Sequence, residues 1–231
     1  MKVAMVIFDG VTQLDATAPM EVFAAAGLSV FTVAPRRELV TAGCGLKIMP
    51  DFDCQSAPVA DILCVAGGAG VNPLLTDPGT LEYLRRTAAA ARYITSVCTG
   101  ALLLGAAGLL VGKRATTHWA SHALLEELGA VPVQERVVID GNIITGGGVT
   151  AGIDFALSVV KEALGYKAAE FVMLALEYDP APPFAGGTPQ STSADVLGRY
   201  HEVARASLEQ RKKQVAIAAT RLLEHLAGEP G

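Results

Sequence analysis

Cys98 is the residue whose type and surroundings most clearly predict chemistry. It lies in the segment SVCTG (96–100), where an apolar run of strand character changes into a Leu- and Ala-rich run of helix character. Such a turn has the shape of a nucleophile elbow, with sulfur as nucleophile and Ser96 in place of the first glycine. Because the following helix N-terminus stabilises a thiolate, we expect a lowered thiol pKa. The alternative is a small buried apolar residue, as expected for Cys64.

A nucleophilic thiol needs a proton donor and acceptor, and two carboxylates follow the first predicted strand. Asp9 stands directly before Gly10, which is typical of a turn. Asp15 precedes a helix predicted over Thr17–Ala26, where its alternative role is capping or a helix-terminal charge. Beside a thiolate the pKa of Asp15 would rise, and the two groups would titrate as a coupled pair. Asp15 would then serve as an acid and a base.

Other motifs predict no cofactor and no metal. The loop Gly67–Gly70 lacks the G-x-G-x-x-G spacing, and no P-loop occurs, although its backbone N–H groups could face the sulfur as an oxyanion hole. His118 and His122 could share one helix face. However, Trp119 stands where the zincin signature has Glu, and no third ligand is evident.

The elements that must position these residues alternate between apolar runs of strand length and helical segments. We predict strands over 2–8, 28–33, 61–66 and 93–97, a strand pair within 39–50, a hairpin of 133–139 and 142–145, and helices over 17–26, 77–92, 99–110, 121–128, 149–164 and 166–177. This alternation predicts an α/β fold with a mainly parallel sheet covered on both faces. Residues 179–192 are rich in Pro and Gly and predict a loop, and 194–226 predict a helix. We therefore expect an α/β domain over 1–178 and a helical C-terminal extension over 179–231.

Composition narrows the functional classes. The 231 residues are 51% hydrophobic and 18% charged, which excludes disorder as the main state. The net charge of −5 argues against nucleic-acid binding, and the basic run at 211–213 is predicted to lie on the solvated face of a helix. Residues 93–112 carry no charge, but their pattern is a strand followed by a helix, so we predict no membrane span. Without a disulfide scaffold or a signal-type cleavage site, the expected location is cytoplasmic.

Four sequence blocks resemble the DJ-1/PfpI superfamily. They are VIFDGVTQLDATAPMEVF, DILCVAGGAG, SVCTGALLLGAAGLLVGKRATTHW and TGGGVTAGIDFALSVV. The later segment EYDPAPPFAGGTPQ resembles one branch, the isonitrile hydratases. The resemblance implies a flavodoxin-like three-layer α/β sandwich and a homodimer.

The resemblance also assigns roles to individual residues. Cys98 matches the elbow cysteine of the superfamily, and Asp15 falls where most members have Glu and isonitrile hydratases have Asp. Gly68 and the backbone N–H of Thr99 correspond to anion-stabilising donors, and Trp119 corresponds to a pocket wall. Thr99 stands where the peptidase-like branch has His, which argues against proteolysis.

The function implied by the resemblance is hydration of an isonitrile through a covalent thioimidate on Cys98. The loop 146–150 would form a second wall of the pocket. Two alternatives remain open. The same blocks resemble the N-terminal domains of AraC-type regulators, and a redox-responsive or glyoxalase-like protein would use Cys98 differently.

Overall fold

A seven-stranded sheet forms the centre of the protein in a computed structural model, which describes residues 1–228. The strands of the chain are β1 (Lys2–Val6), β2 (Ser29–Ala34), β3 (Val40–Thr41), β4 (Lys47–Ile48), β5 (Phe52–Asp53), β6 (Ile62–Val65), β7 (Tyr93–Val97), β8 (Arg114–Ala115), β9 (Val131–Pro132), β10 (Val137–Asp140) and β11 (Ile143–Gly146). The central sheet has the order β10-β11-β7-β6-β1-β2-β5, and only the β10–β11 pair is antiparallel. β3 pairs with β4 and β8 with β9 outside it.

Helices cover both faces of this sheet. They are α1 (Gln13–Ala25), α2 (Val71–Leu74), α3 (Pro78–Ala90), α4 (Gly100–Ala106), α5 (Leu124–Glu127), α6 (Ala151–Leu164), α7 (Tyr166–Ala175) and α8 (Ala194–Gly228). α1, α6 and α7 pack together on one face, whereas α3 and α4 pack against the other and α8 lies over α2, α4 and α5. The predicted three-layer α/β sandwich with a helical extension is confirmed.

The sheet topology brings three loops to one edge. β6 pairs in parallel with both β1 and β7, so the carboxyl ends of these three strands meet. The strand order changes direction between β1 and β6, because β2 lies beyond β1 and β7 lies beyond β6. Ligands of such sheets bind outside the carboxyl ends of the strands at this switch point.

Several predicted boundaries need correction. α1 begins at Gln13, four residues earlier than predicted, so Asp15 lies within its first turn and Pro19 lies in the helix interior. A proline in a helical pattern usually marks the first turn, and that preference placed the predicted start too late. α4 ends at Ala106 instead of 110, and the helix predicted over 121–128 is a 3₁₀ turn at Trp119–Ser121 followed by the single turn α5.

Other local predictions are confirmed. The side chain of Asp77 caps α3 by accepting a hydrogen bond from the Thr80 N–H at 2.8 Å. The hairpin around Asp140-Gly141 is present as β10 and β11. The uncharged stretch 93–112 contains β7 and α4, and none of the helices within residues 1–228 is long and apolar enough to cross a bilayer.

α8 uses one apolar stripe to dock onto the domain. Val215, Ala218 and Leu222 are buried at helical spacing, and Arg211 extends the same stripe by one turn with only 7% of its surface exposed. The prediction that the basic run lies in solvent is therefore wrong at Arg211 and holds for its neighbours Lys212 and Lys213. Because an α-helix has 3.6 residues per turn, neighbouring positions point in different directions, so Arg211 can face the domain while Lys212 and Lys213 face solvent.

Candidate active site

Gly67 lies where its own loop meets the first turn of α1 and the turn between β7 and α4. A Cβ atom placed on Gly67 would lie 2.6 Å from the backbone nitrogen of Thr99, 2.8 Å from Oδ2 of Asp15 and 2.8 Å from Cβ of Cys98. Only a glycine leaves room for this approach. The structure therefore brings together Asp15, Cys98 and Thr99, three of the residues that the sequence singled out.

Cys98 occupies a strained turn between β7 and α4. Its φ angle is +54°, a left-handed conformation that costs a non-glycine residue about 1–3 kcal/mol. Its N–H donates to the carbonyls of Gly146 (3.0 Å) and Gly147 (2.9 Å), and its carbonyl accepts a hydrogen bond from Oγ1 of Thr117 (2.7 Å). These bonds hold the backbone in the geometry of a nucleophile elbow.

Asp15 is a buried acid with few interactions that offset the cost of burying its charged form. Its side chain is fully buried, and burial raises the pKa of the carboxyl from 3.8 to about 7. Cys98 and the N–H of Gly67 face it and lower this pKa in part. Their effect is smaller than that of burial, and neither oxygen of Asp15 has a partner at normal hydrogen-bond distance among residues 1–228. Near neutral pH, Asp15 therefore exchanges a proton readily.

The Cys98 side chain rests as a thiol. Burial and the neighbouring Asp15 carboxylate raise the pKa of the thiol to about 12, although the backbone N–H of Thr99 and the charge of Arg211 oppose the rise. The expectation of a lowered thiol pKa is wrong, because desolvation and Asp15 outweigh the short helix α4. A thiolate at Cys98 therefore requires Asp15 to take the proton.

The two predicted anion donors differ in their availability. The N–H of Thr99 faces the sulfur of Cys98. The N–H of Gly68 instead donates to Oγ1 of Thr99 at 2.9 Å, and that hydroxyl is also 3.2 Å from the Gly68 carbonyl oxygen. Gly68 can thus serve an anion only after the Thr99 side chain rotates.

Aromatic side chains form a wall beside this centre. The ring of Trp119 lies 4.9 Å from that of Tyr200 and 5.7 Å from that of His118, centre to centre. Burial and the charge of Arg211 lower the pKa of His118, which keeps the imidazole neutral. A Cβ atom on Gly148 would lie 2.9 Å from the His118 ring, so the loop 146–150 adjoins the same wall.

Comparison with known proteins places this arrangement in a family. Residues 1–162 match the model of the DJ-1/PfpI family. The chain belongs to the DJ-1/PfpI family.

Relatives of this DJ-1/PfpI chain include an enzyme and regulators. It is 49% identical to the isonitrile hydratase of Pseudomonas putida over 223 residues, which are 96% of this chain and 98% of the relative. The crystal structure of a ThiJ/PfpI family protein from Pseudomonas syringae matches with a TM-score of 0.88 and 38% identity, covering 94% of this chain and 90% of the other. The HTH-type transcriptional regulator GbdR of Pseudomonas aeruginosa is 35% identical over 123 residues, 52% of this chain but only 33% of the regulator.

Two candidate site residues of the DJ-1/PfpI chain could not be predicted from the sequence. Tyr200 and Arg211 come from α8, more than 100 positions after Cys98. The charge of Arg211 lowers the pKa of Cys98, and a charge on Cys98 raises the pKa of both Tyr200 and Arg211. Their only sequence signal is the helical spacing of Arg211 with the apolar residues Val215 and Ala218, which indicates a buried face but not what it covers.

His118 and His122 do not share a helix face as the spacing suggested. They flank the 3₁₀ turn, and Nδ1 of His118 accepts a hydrogen bond from the Ala120 N–H at 3.3 Å. Within residues 1–228, no three His, Cys, Asp or Glu side chains are grouped so that they could hold a metal ion.

Substituting Gly67 with alanine is expected to damage the site of this DJ-1/PfpI protein. Because the added methyl would meet the Thr99 backbone at 2.6 Å, the segments that carry Gly67, Asp15 and Cys98 must separate. We expect the free energy of unfolding to fall by about 1–3 kcal/mol, measured by urea denaturation. The rate at which iodoacetamide alkylates Cys98 should also change, because Asp15 moves away from the thiol.

Gly43→Ala is the matched control, because its methyl would be 3.7 Å from the nearest atom, the carbonyl oxygen of Val11. Equal stability of the two variants would contradict the close packing inferred at Gly67.

Proposed function

We propose that this protein is an isonitrile hydratase, which adds water to an isonitrile and releases an N-substituted formamide. The observation that carries the proposal is the buried pair of Asp15 and Cys98, in which an acid with a pKa of about 7 stands beside a thiol. The 49% identity to the isonitrile hydratase of Pseudomonas putida over nearly both whole chains supports the same reaction.

The first step adds the thiol to the terminal carbon of the isonitrile. That carbon is nucleophilic until it is protonated, and it then becomes electrophilic. Asp15 takes the proton of the Cys98 thiol and delivers it to this carbon, while the sulfur forms a bond to the same carbon. The product is a thioimidate, R–N=CH–S–Cys98, which contains every atom of the isonitrile and the thiol.

The second step consumes the water. Asp15, again a carboxylate, accepts a proton from water as the oxygen attacks the thioimidate carbon. The carbon–sulfur bond then breaks, one water proton ends on the nitrogen of the formamide, and the other returns to Cys98 through Asp15. The N–H of Thr99 faces the sulfur and stabilises the negative charge that develops as the bond breaks. The aromatic wall of Trp119 and Tyr200 would contact the substituent on nitrogen.

The pH dependence of the reaction follows from the proton count of the pair. The active form holds one proton shared between Asp15 and Cys98, and a second proton binds to Asp15 below its pKa of about 7. We therefore expect kcat/KM to rise with pH, reach half of its maximum near pH 7 and stay level into the alkaline range. Initial rates between pH 5 and 9 test this, and a rate that falls as the pH rises through 7 would contradict the assigned protonation states.

The direct test is formation of the formamide. Purified protein is incubated with cyclohexyl isonitrile and, separately, with an aryl isonitrile, and the N-substituted formamide is measured by liquid chromatography and mass spectrometry. Labelled water (H₂¹⁸O) should place the label in the formamide carbonyl. If the folded protein produces no formamide from either compound but converts methylglyoxal to lactate, the glyoxalase-like alternative replaces the hydratase.

The working unit proposed here is a homodimer in the cytoplasm, in which residues 1–178 and the extension 179–231 of each chain act together. Exposed apolar side chains on α7 offer a surface for a second copy, since Tyr166, Phe171 and Leu174 are each at least 65% exposed. The four free cysteines fit a reducing compartment. Sedimentation equilibrium should give twice the chain mass of 23.9 kDa.

A further inference from the structure

Arg211 is a buried cation held by neutral partners. Its Nε donates to Oδ1 of Asn72 and its Nη1 donates to Oγ of Ser121, each at 2.9 Å. Only 7% of the residue is exposed. The guanidinium is thus fixed in one orientation by two side chains that bring no negative charge.

These two contacts place Arg211 between two segments that adjoin the elbow. Asn72 lies in α2, directly after the loop 67–70, and Ser121 ends the 3₁₀ turn that begins with Trp119. One loop carries Gly67, which contacts the catalytic pair, and the other carries the aromatic wall. The charge of Arg211 affects the ionisation of Cys98, Tyr200 and His118, so all three lie within its electrostatic range.

The charge of Arg211 has no counter-ion within residues 1–228. No carboxylate pairs with it, and its Nη2 group makes no hydrogen bond there. Cys98 is a thiol at rest and His118 is neutral, so neither of them balances the charge. A buried cation without an anion is energetically costly, and retaining one is useful where a ligand supplies the anion.

We propose that Arg211 binds a carboxylate on the substrate, so that the isonitriles which this enzyme hydrates most efficiently carry a negatively charged substituent close to the –NC group. This inference rests on the proposed hydratase function and specifies its substrate class. The N–H groups that Arg211 leaves unused form part of a planar fork, which matches the two oxygens of a carboxylate. Asn72 and Ser121 already hold the fork in place, and Trp119 and Tyr200 supply apolar surface beside it.

The test compares two substrates that differ in charge at one group, isocyanoacetate and its methyl ester. The ratio of their kcat/KM values is measured for the wild type, for Arg211→Gln and for Arg205→Gln, an exposed arginine on the same helix. We expect the wild type to prefer the acid. Arg211→Gln should lower kcat/KM for the acid on the order of 100-fold and for the ester only a few-fold, since one charge-assisted contact is lost. Arg205→Gln should keep the wild-type ratio.

Each other outcome overturns the inference. Equal use of acid and ester by the wild type does so without any variant having to fold. Equal losses on both substrates in Arg211→Gln, with a wild-type melting temperature, would make Arg211 a positioning residue for the loops alone. If cyclohexyl isonitrile is hydrated but the acid is not preferred, the proposed substrate class is wrong and the proposed hydratase function is retained. If no isonitrile is hydrated, both the hydratase function and the substrate class are wrong.

Discussion

Cys98→Ala is expected to lower formamide turnover by at least about 10⁴-fold, the scale seen when a covalent nucleophile is removed. Without the sulfur, no thioimidate forms, and Asp15 alone must activate water against a carbon that is not yet held covalently. Cys98→Ser should be similarly impaired, because a hydroxyl is a weaker acid than the thiol and Asp15 cannot deprotonate it as readily. Single-turnover assays with a large excess of enzyme over cyclohexyl isonitrile would measure the residual rate.

A second buried cysteine provides the control for Cys98. Cys54 is also buried and free, and burial raises the pKa of its thiol to about 12, but its electrostatic neighbours are Asp77, Asp53 and Arg86. Cys54→Ala should therefore lose stability without losing the chemical step. Alanine at 98 keeps a side chain at φ +54°, so it does not relieve the strain of the turn. Turnover by Cys98→Ala close to that of the wild type would eliminate the covalent route.

Asp15→Asn is expected to lower turnover on the order of 10³-fold. The amide fills the same buried volume but neither accepts the thiol proton nor delivers it to the isonitrile carbon. Burial still raises the pKa of the Cys98 thiol in this variant, so the thiol remains protonated and has lost the base that would generate the thiolate. Asp9→Asn is the control from the loop that precedes α1, since Asp9 accepts a hydrogen bond from the Thr41 N–H.

The same substitution should stabilise the fold above neutral pH. The pKa of Asp15 is raised from 3.8 to about 7 on folding, so the folded state holds a proton that the unfolded state releases between these values. Stability contributed by the neutral carboxyl is complete below pH 4 and is lost as the pH rises through 7. The corresponding free energy is on the order of 4 kcal/mol at most. Asn cannot ionise and avoids this loss.

Urea unfolding of the wild type and Asp15→Asn at pH 5 and pH 8 measures this effect. The advantage of the variant should be larger at pH 8. An advantage that does not change with pH would mean that Asp15 is no harder to ionise in the folded protein than in the unfolded chain. Together with the activity, the expected outcome describes a residue that is retained for chemistry at the expense of stability.

Local patterns in the sequence determined the centre of the fold. β1 after Lys2 and β6 are continuous apolar runs, and β7 is an uncharged run, because helices cover both faces of a parallel sheet. Such runs are visible without knowing their neighbours. The turn at Cys98 follows from small residues where a strand pattern changes to a helix pattern. The closeness of Asp15 to Cys98 came from family resemblance rather than from spacing, since 83 positions separate the two residues.

Only the tertiary structure decided the chemistry of the pair and the makeup of its surroundings. The pKa values of Asp15 and Cys98 depend on burial by residues from several elements, and that burial reversed the shift expected for the thiol. The apolar stripe of α8 predicts a buried face, but a stripe of aliphatic side chains packs against many surfaces. Its docking on α2, α4 and α5 carries Tyr200 and Arg211 to the site, because long-range packing is set by complementary shapes that no single segment contains.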